Sequence, residues 1–140
     1  MKIRLRNYKP KDFDKLLQVL KRAGVYYELL DTPKLLKKKI KKDPESIIVA
    51  EDDKKSVLGC VFTINDGWNP QIFHLAVDPK YQNKGLGKTL LKEAEKRLKG
   101  DGAKEITVFV EERNSKVLDF YRKRGYAVLY KTYCLIKHPK

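Results

Sequence analysis

The fold is decided by the stretch IFHLAVDPKYQNKGLG at residues 72–87. Its first half is an apolar run that ends at Asp78-Pro79, a pattern typical of a strand that a proline terminates. Its second half is polar and contains Gly85 and Gly87, and apolar side chains at helical spacing follow it. The sequence therefore predicts a strand, a glycine-rich turn and a helix, in this order.

The turn between this strand and this helix is a candidate anion site. A helix N-terminus presents N–H groups that have no intrahelical acceptor, and it carries a partial positive charge. Gly85 and Gly87 would let the main chain approach a phosphate without interference from a Cβ atom. Lys84 and Lys88 add positive charge. The alternative is a tight strand-to-helix corner that binds nothing.

Three phosphate-binding patterns compete for this turn. The residues GKT at 87–89 match the end of G-x-x-x-x-G-K-[ST], but Gln82 occupies the position of its first glycine. The dinucleotide pattern G-x-G-x-x-G fails because its third glycine position holds Leu90. The pattern Q/R-x-x-G-x-G/A is complete, with Gln82, Gly85 and Gly87. The third pattern is therefore favoured, and a nucleotide hydrolase is the poorest interpretation.

The rest of the chain predicts a mixed α/β domain without repeats or linkers, and we expect one domain over residues 1–140. Strand–helix–strand connections in the second half imply some parallel pairing there. Hydrophobic periodicity and turn residues predict strands at 3–6, 46–50, 56–63, 71–77, 106–110 and 126–136, and helices at 13–20, 35–42, 86–98 and 115–121, the last capped by Asn114.

Length and composition exclude several classes of protein. The 140 residues fit one domain, and no apolar run approaches the roughly 20 residues that a membrane span needs. The charged start at residues 2–6 does not resemble a signal peptide. Cys60 and Cys134, with two histidines, lack the spacing of a zinc site. We therefore expect a cytoplasmic protein with reduced cysteines and no metal.

Positive charge favours anionic partners in general. The chain has 32 Lys and Arg against 18 Asp and Glu, a formal net charge of +14. The lysines within 37–42 are either a solvated helix face or a docking patch for an acidic partner. No basic motif with interleaved aromatic residues is present, so nucleic-acid binding is disfavoured. The sequence leaves the oligomeric state open, a homodimer included.

The stretch 72–87 resembles the acetyl-CoA-binding motif of the GCN5-related N-acetyltransferases. The second half agrees, because Asn114, FY at 120–121 and GY at 125–126 resemble the N…(h)Y…G(F/Y) signature of that family. The strongest match covers 72–126, and the pattern is most similar to small YpeA-type acetyltransferases. The resemblance implies a mixed, mostly antiparallel sheet flanked by helices, in which two parallel strands splay apart.

The resemblance also implies a co-substrate, acetyl-CoA, and a set of site residues. The N–H near Leu75 would polarise the thioester carbonyl, a contribution of about 3–4 kcal/mol. Tyr121 would protonate the departing thiolate, since a phenol is protonated near neutral pH. Asn114 would contact the cofactor and could cap its helix as well. The implied cofactor-binding residues are Leu75, Ala76, Val77, Gln82, Asn83, Lys84, Gly85, Leu86, Gly87, Lys88, Asn114 and Tyr121.

The implied reaction is transfer of an acetyl group to a primary amine by direct attack in a ternary complex. The base that deprotonates the amine is not apparent, because nearby Gln71, Phe73 and Phe109 are not basic. His74, Glu111 and a water molecule are the alternatives, although His74 could only be packed and Glu111 only solvated. A non-catalytic acyl-CoA-binding or sensing module on the same fold is the competing function.

The acceptor end is the least readable part of the sequence. In the family, the first helices and their connection shape the acceptor pocket, which corresponds here to residues 24–31. Trp68 and Asn69 are a second candidate wall, or simply hairpin packing. The sequence does not distinguish a small amine from a protein or peptide as the acceptor. Four residues of the connection could bind a cationic amine or could only pack within the loop: Tyr26, Tyr27, Glu28 and Asp31.

Overall fold

The computed structural model describes residues 2–140. They form two compact units, one that extends to Val108 and one that comprises Phe109–Lys140. The first unit contains a five-stranded sheet and three α-helices, and the second contains one α-helix. No helix in residues 2–140 has the length and apolar character needed to cross a membrane.

The helices and strands follow the predicted order, except at the C-terminal end. Short 3-10 turns at Pro10–Asp12 and Pro79–Tyr81 precede α1 and α3. The elements are β1 (Arg4–Asn7), α1 (Phe13–Arg22), α2 (Pro33–Lys42), β2 (Ile47–Glu51), β3 (Val57–Ile64), β4 (Gln71–Val77), α3 (Leu86–Gly100), β5 (Thr107–Val108) and α4 (Ser115–Arg122).

The sheet is mixed and mostly antiparallel, which confirms the predicted fold class. Its strands lie in sequence order, β1-β2-β3-β4-β5. The first three pairings are antiparallel, and β5 pairs with β4 in the parallel direction. The long connection through α3 makes this parallel pairing possible, because two parallel strands cannot be joined by a tight turn.

The helices α1 and α2 cover one face of the sheet. Cross-strand neighbours on this face pair apolar side chains, for example Ile47 with Phe62 and Val49 with Cys60. The buried residues Leu16, Val19, Leu20 and Leu36 of the two helices join them in one core cluster. Burial of these side chains is the main force that fixes the first unit.

The helix α3 packs against β3 and β4, and this packing depends on one glycine. A Cβ atom at Gly59 would lie 2.8 Å from the carbonyl oxygen of Ala76 and 3.0 Å from Cδ1 of Leu90. Such contacts are shorter than side chains tolerate, so β4 and α3 approach closely because this position has no side chain.

The second unit differs from the sequence prediction. The predicted strand at 126–136 is wrong, because no helix or strand follows α4. Its apolar side chains are largely exposed, including Leu129 and Leu135 at 86% and 90%. A strand needs a neighbour for its main-chain N–H and C=O groups, and residues 109–140 of the second unit contain no strand that could supply one. The predicted strand at 106–110 is likewise reduced to Thr107–Val108.

Candidate functional site

The edge of β4 that faces β5 is only partly paired. Its parallel ladder to β5 contains two pairs, Gln71 with Thr107 and Ile72 with Val108. In the described part of the first unit, this edge has no ladder partner from Phe73 to Val77. The opposite edge of β4 pairs with β3 as far as Val77. The predicted cofactor-binding residues 75–77 therefore lie on a strand edge that no other strand of the first unit pairs.

A β-bulge interrupts β4 in the same region. Phe73 faces Phe62 across the ladder and Ala76 faces Cys60, so that His74 and Leu75 together oppose Val61. His74 has a φ of +49°, in the left-handed region. Histidine adopts this region rarely, so the bulge carries local strain.

The loop after β4 is anchored by two side chains. Asp78 accepts hydrogen bonds from the main-chain N–H of Lys80 and from Arg22, each at 3.0 Å. Burial alone would raise the pKa of Asp78, but these contacts outweigh it and lower the pKa below its usual value. Gln82 donates from Nε2 to the carbonyl oxygen of Val77 at 3.1 Å. The loop therefore begins in a defined position at the end of β4.

The N-terminus of α3 has no side-chain cap. Thr32 caps α2 and Asn114 caps α4, whereas the N-cap of α3 is Gly85 with a φ of +82°. Asn83 also has a positive φ, +64°. The N–H groups of the first turn of α3 are therefore without a capping side chain, which is the property required of an anion site at a helix N-terminus.

A small cavity lies beside this helix end. Its volume is about 150 Å³, below the roughly 300–1,000 Å³ of pockets that enclose a ligand. A nucleotide-sized cofactor would therefore lie mainly along the surface of the loop. The residues that line the cavity are Ile3, Leu5, Tyr81, Lys84, Gly85, Leu86 and Thr89.

His74 and Asp31 form a pair on the face that α1 and α2 cover. His74 Nε2 lies 2.8 Å from Oδ2 and 3.1 Å from Oδ1 of Asp31. Asp31 Oδ2 also accepts a hydrogen bond from the N–H of Tyr27 at 2.8 Å. The carboxylate is buried, and the imidazole retains 16% of its exposure. Sequence reasoning assigned the two residues to different roles and missed their contact.

Lys39 is a further residue of this face that the sequence did not single out. Burial lowers its pKa to about 8. Its Nζ donates to the carbonyl oxygen of Thr63 and lies 5.2 Å from the centroid of the Phe73 ring. The sequence placed Lys39 in the exposed lysine run. Its spacing from Leu36 and Ile40 on the same helix was the signal that it lies at the border of the buried face.

Other candidates have ordinary structural surroundings. Glu111 is exposed and accepts a hydrogen bond from Arg113 at 2.8 Å. Trp68 is 86% exposed. Asn69 Oδ1 accepts from the hydroxyl of Thr107 at 3.1 Å. Tyr26 lies at the edge of the core cluster, and Glu28 is exposed.

In the second unit, Asn114 and Tyr121 lie at the start and in the last turn of α4. The side chain of Asn114 accepts from the N–H of Val117 at 3.4 Å, as predicted for a helix cap. Tyr121 is 6% exposed and packs against the rings of Phe120 and Tyr126, each with a centroid distance of 5.3 Å. The tyrosine ring is therefore in contact with two aromatic side chains of its own unit.

Comparison with protein families decides the affiliation of the chain. The model of the Acetyltransferase (GNAT) family matches residues 13–126. The chain belongs to the GNAT family. A relative from Yersinia pestis (strain Pestoides F), named acetyltransferase, is 26% identical over 122 residues, which cover 87% of this chain and 86% of the relative. The finer resemblance to the YpeA type stays a prediction.

Solved structures agree with the GNAT assignment. The PaiA N-acetyltransferase from Thermoplasma acidophilum, in complex with coenzyme A, has a TM-score of 0.80 and 26% identity, and the match covers 91% of each chain. Ard1 from Thermoplasma volcanium has a TM-score of 0.81 and 21% identity over 93% of this chain and 86% of that chain, which shows the shared fold. Family and relatives support an acyltransferase. Among residues 2–140, no three His, Cys, Asp or Glu side chains are grouped as a metal site would require.

Proposed function

We propose that this GNAT protein transfers the acetyl group of acetyl-CoA to a primary amine by direct attack in a ternary complex. The proposal rests on three structural features that follow one another along the chain. They are the strand edge at 73–77 that no strand of the first unit pairs, the anchored loop, and the N-terminus of α3 without a side-chain cap. Bound coenzyme A in the PaiA N-acetyltransferase supports the choice of donor.

The donor would be held mainly by main-chain groups. The pantetheine arm would pair with Leu75, Ala76 and Val77, because an extended chain can hydrogen-bond to an unpaired strand edge. The diphosphate would bind the N–H groups of the loop and first helical turn, with charge from lysine side chains. The proposed diphosphate-binding residues are Gln82, Asn83, Lys84, Gly85, Leu86, Gly87 and Lys88.

The transfer requires an electrophilic carbonyl and a good leaving group. A main-chain N–H near Leu75 would stabilise the oxyanion that forms when the amine attacks. Tyr121 would donate its hydroxyl proton to the sulfur of coenzyme A as the C–S bond breaks. Asn114 would contact the cofactor in addition to capping α4. Holding amine and thioester together supplies a large part of the rate enhancement.

We also propose that residues 1–140 act as a single acetyltransferase domain. The family match extends from residue 13 to residue 126 and thus includes parts of both compact units. The acceptor amine would approach from the connection between α1 and α2, where Tyr27 and Glu28 are at least partly exposed. A small amine and a peptide are both compatible with this surface.

Two measurements test the proposal. Calorimetry with acetyl-CoA should give one binding site per chain, and mass spectrometry should detect an acetylated product in a panel of polyamines, amino acids, aminoglycosides and peptides. Absence of binding at millimolar acetyl-CoA would contradict the proposal. Tight binding without transfer to any amine would instead favour the non-catalytic acyl-CoA-binding function.

A further inference from the structure

We infer that His74 is the general base of the reaction, that it removes a proton from the acceptor's ammonium group, and that Asp31 is its positioning residue. This inference rests on the proposed acetyl transfer and deepens it, because it names the group that prepares the amine. The family comparison does not identify this group in the chain. The argument comes from the surroundings of His74.

The first observation is the geometry of the pair. Both carboxylate oxygens of Asp31 lie within hydrogen-bond distance of His74 Nε2, at 2.8 and 3.1 Å. A carboxylate accepts hydrogen bonds, so Nε2 carries the proton and donates it to Asp31. In the neutral form of the imidazole the lone pair then lies on Nδ1, the atom that would accept the proton. Asp31 is itself fixed by the N–H of Tyr27.

The second observation is the strained backbone. A residue other than glycine in the left-handed region is strained, and such residues concentrate at functional sites. His74, with its φ of +49°, directly precedes Leu75, where no strand of the first unit pairs with this edge of β4. The strained residue therefore directly precedes the main-chain position that is proposed to bind the thioester.

The third observation is the charge around the imidazole. Asp31 faces it from the α1–α2 connection, and Cys60 on β3 donates from Sγ to the His74 carbonyl oxygen at 3.4 Å. Burial, reinforced by the charge of Asp31, raises the pKa of Cys60, so its thiol stays neutral. On α2, Lys39 lies next to the Phe73 ring. The rings of Phe62 and Phe73 pack against the imidazole with centroid distances of 4.9 and 5.3 Å.

The proton balance of the step is simple. An N–H bond of the acceptor ammonium breaks, and the proton forms a bond with His74 Nδ1. The freed lone pair attacks the thioester carbonyl, and the C–S bond breaks as the sulfur receives the Tyr121 proton. The nitrogen loses a second proton as it becomes an amide, and this proton restores the Tyr121 hydroxyl. The imidazolium is stabilised by the Asp31 carboxylate and then returns its proton to solvent.

The variant His74→Asn separates catalysis from structure. Asparagine tolerates the left-handed region, and Asp31 keeps its hydrogen bond from the N–H of Tyr27, so the fold and the anchored connection should persist, but asparagine cannot accept a proton. We expect kcat to fall about 100-fold or more with unchanged acetyl-CoA affinity. His138→Asn, which alters the other, exposed histidine, is the matched control and should change neither.

The assay uses the fastest acceptor of the amine panel, and hydrolysis of acetyl-CoA by water is followed in parallel, so that turnover is measurable without an acceptor. Asp31→Asn should lower kcat at least 10-fold with an unchanged melting temperature. Imidazole ¹⁵N spectra of the free protein should show a proton on Nε2 of His74 and none on Nδ1.

Full activity of His74→Asn, or a proton on Nδ1, would overturn the assignment while leaving the proposed function intact. Failure of the wild-type protein to bind acetyl-CoA would reject the proposed function itself and the base with it.

Discussion

Gln82 Nε2 donates a hydrogen bond to the carbonyl oxygen of Val77, 3.1 Å away. This bond joins the first residue of the glycine-rich loop to the last residue of β4. It fixes the loop entrance relative to the free strand edge, and both are proposed to contact the same coenzyme. The Gln in the pattern Q/R-x-x-G-x-G/A therefore has a structural role that its position in the motif does not reveal.

Replacing Gln82 by Ala should weaken acetyl-CoA binding. The variant loses the bond to Val77, so the loop must be ordered at the moment of binding. We expect an approximately 5–13-fold larger Kd, which corresponds to the roughly 1–1.5 kcal/mol of one hydrogen bond. Calorimetry measures the affinity, and Gln18→Ala on the exposed face of α1 is the control. Equal Kd values for the two variants would contradict this role.

Tyr121→Phe should reduce turnover much more than cofactor affinity. The substitution keeps the ring that packs against Phe120 and Tyr126 and removes only the hydroxyl. A loss of about 100-fold in kcat is expected for removal of a general acid. Thiol release from acetyl-CoA measures the rate, with Tyr130→Phe in the exposed C-terminal segment as the control. An unchanged kcat would exclude Tyr121 from the acid role.

The two proposed roles of Asn114, capping α4 and contacting the cofactor, can be tested separately. Asn114→Ala removes the cap of α4 and should cost about 1 kcal/mol of stability, measurable by urea denaturation. Asn114→Ser keeps a capping oxygen and should preserve stability, but it should still weaken acetyl-CoA binding if the amide contacts the cofactor. Should the serine variant bind the cofactor like the wild type, only the capping role would remain.

Gly59→Ala should destabilise the protein by about 1–3 kcal/mol. The new methyl group would lie 2.8 Å from the main-chain oxygen of Ala76, which cannot move without displacing β4. Gly100→Ala is the control, because its Cβ would meet nothing within 4 Å and its position is helical. This control should be neutral or slightly stabilising. Equal melting temperatures of the wild type and both variants would contradict the prediction.

Acid should destabilise the first unit through Glu51. Hydrogen bonds from Arg6 and Arg4 outweigh burial and lower the pKa of Glu51 to about 2. Because its ordinary pKa is about 4.5, the ion pairs stabilise the fold above that pH, and this contribution is lost as the pH falls toward 2. Urea denaturation should show a shallower pH dependence for Glu51→Gln than for the wild type. The exposed Glu45→Gln should retain the wild-type slope.

Much of the fold was predictable because local signals agree with the tertiary structure. Pro79 and Gly85 end β4 and begin α3 where the sequence indicates. Asn114 caps α4 because its side chain can replace a helical acceptor locally. The segment 126–136 has the composition of a strand, but a strand also requires a partner, which local sequence does not specify.

The candidate site was less predictable because its geometry is non-local. His74 and Asp31 lie 43 positions apart, and their contact depends on how the α1–α2 connection is placed over β4. The left-handed conformation of His74 was also invisible, since no glycine marks it. The burial of Lys39 was hidden among neighbouring lysines that point to solvent.

The bulge at His74 and Leu75 also determines which face of β4 the following side chains occupy. Phe73 and Ala76 contribute to the same core although three positions separate them, which regular alternation along a strand forbids. If β4 kept both residues but followed regular alternation, Ala76 and every side chain beyond it would exchange faces. Asp78 and the start of the loop would then shift by one position relative to β3. The extra residue of the bulge therefore determines the position at which the loop begins relative to β3.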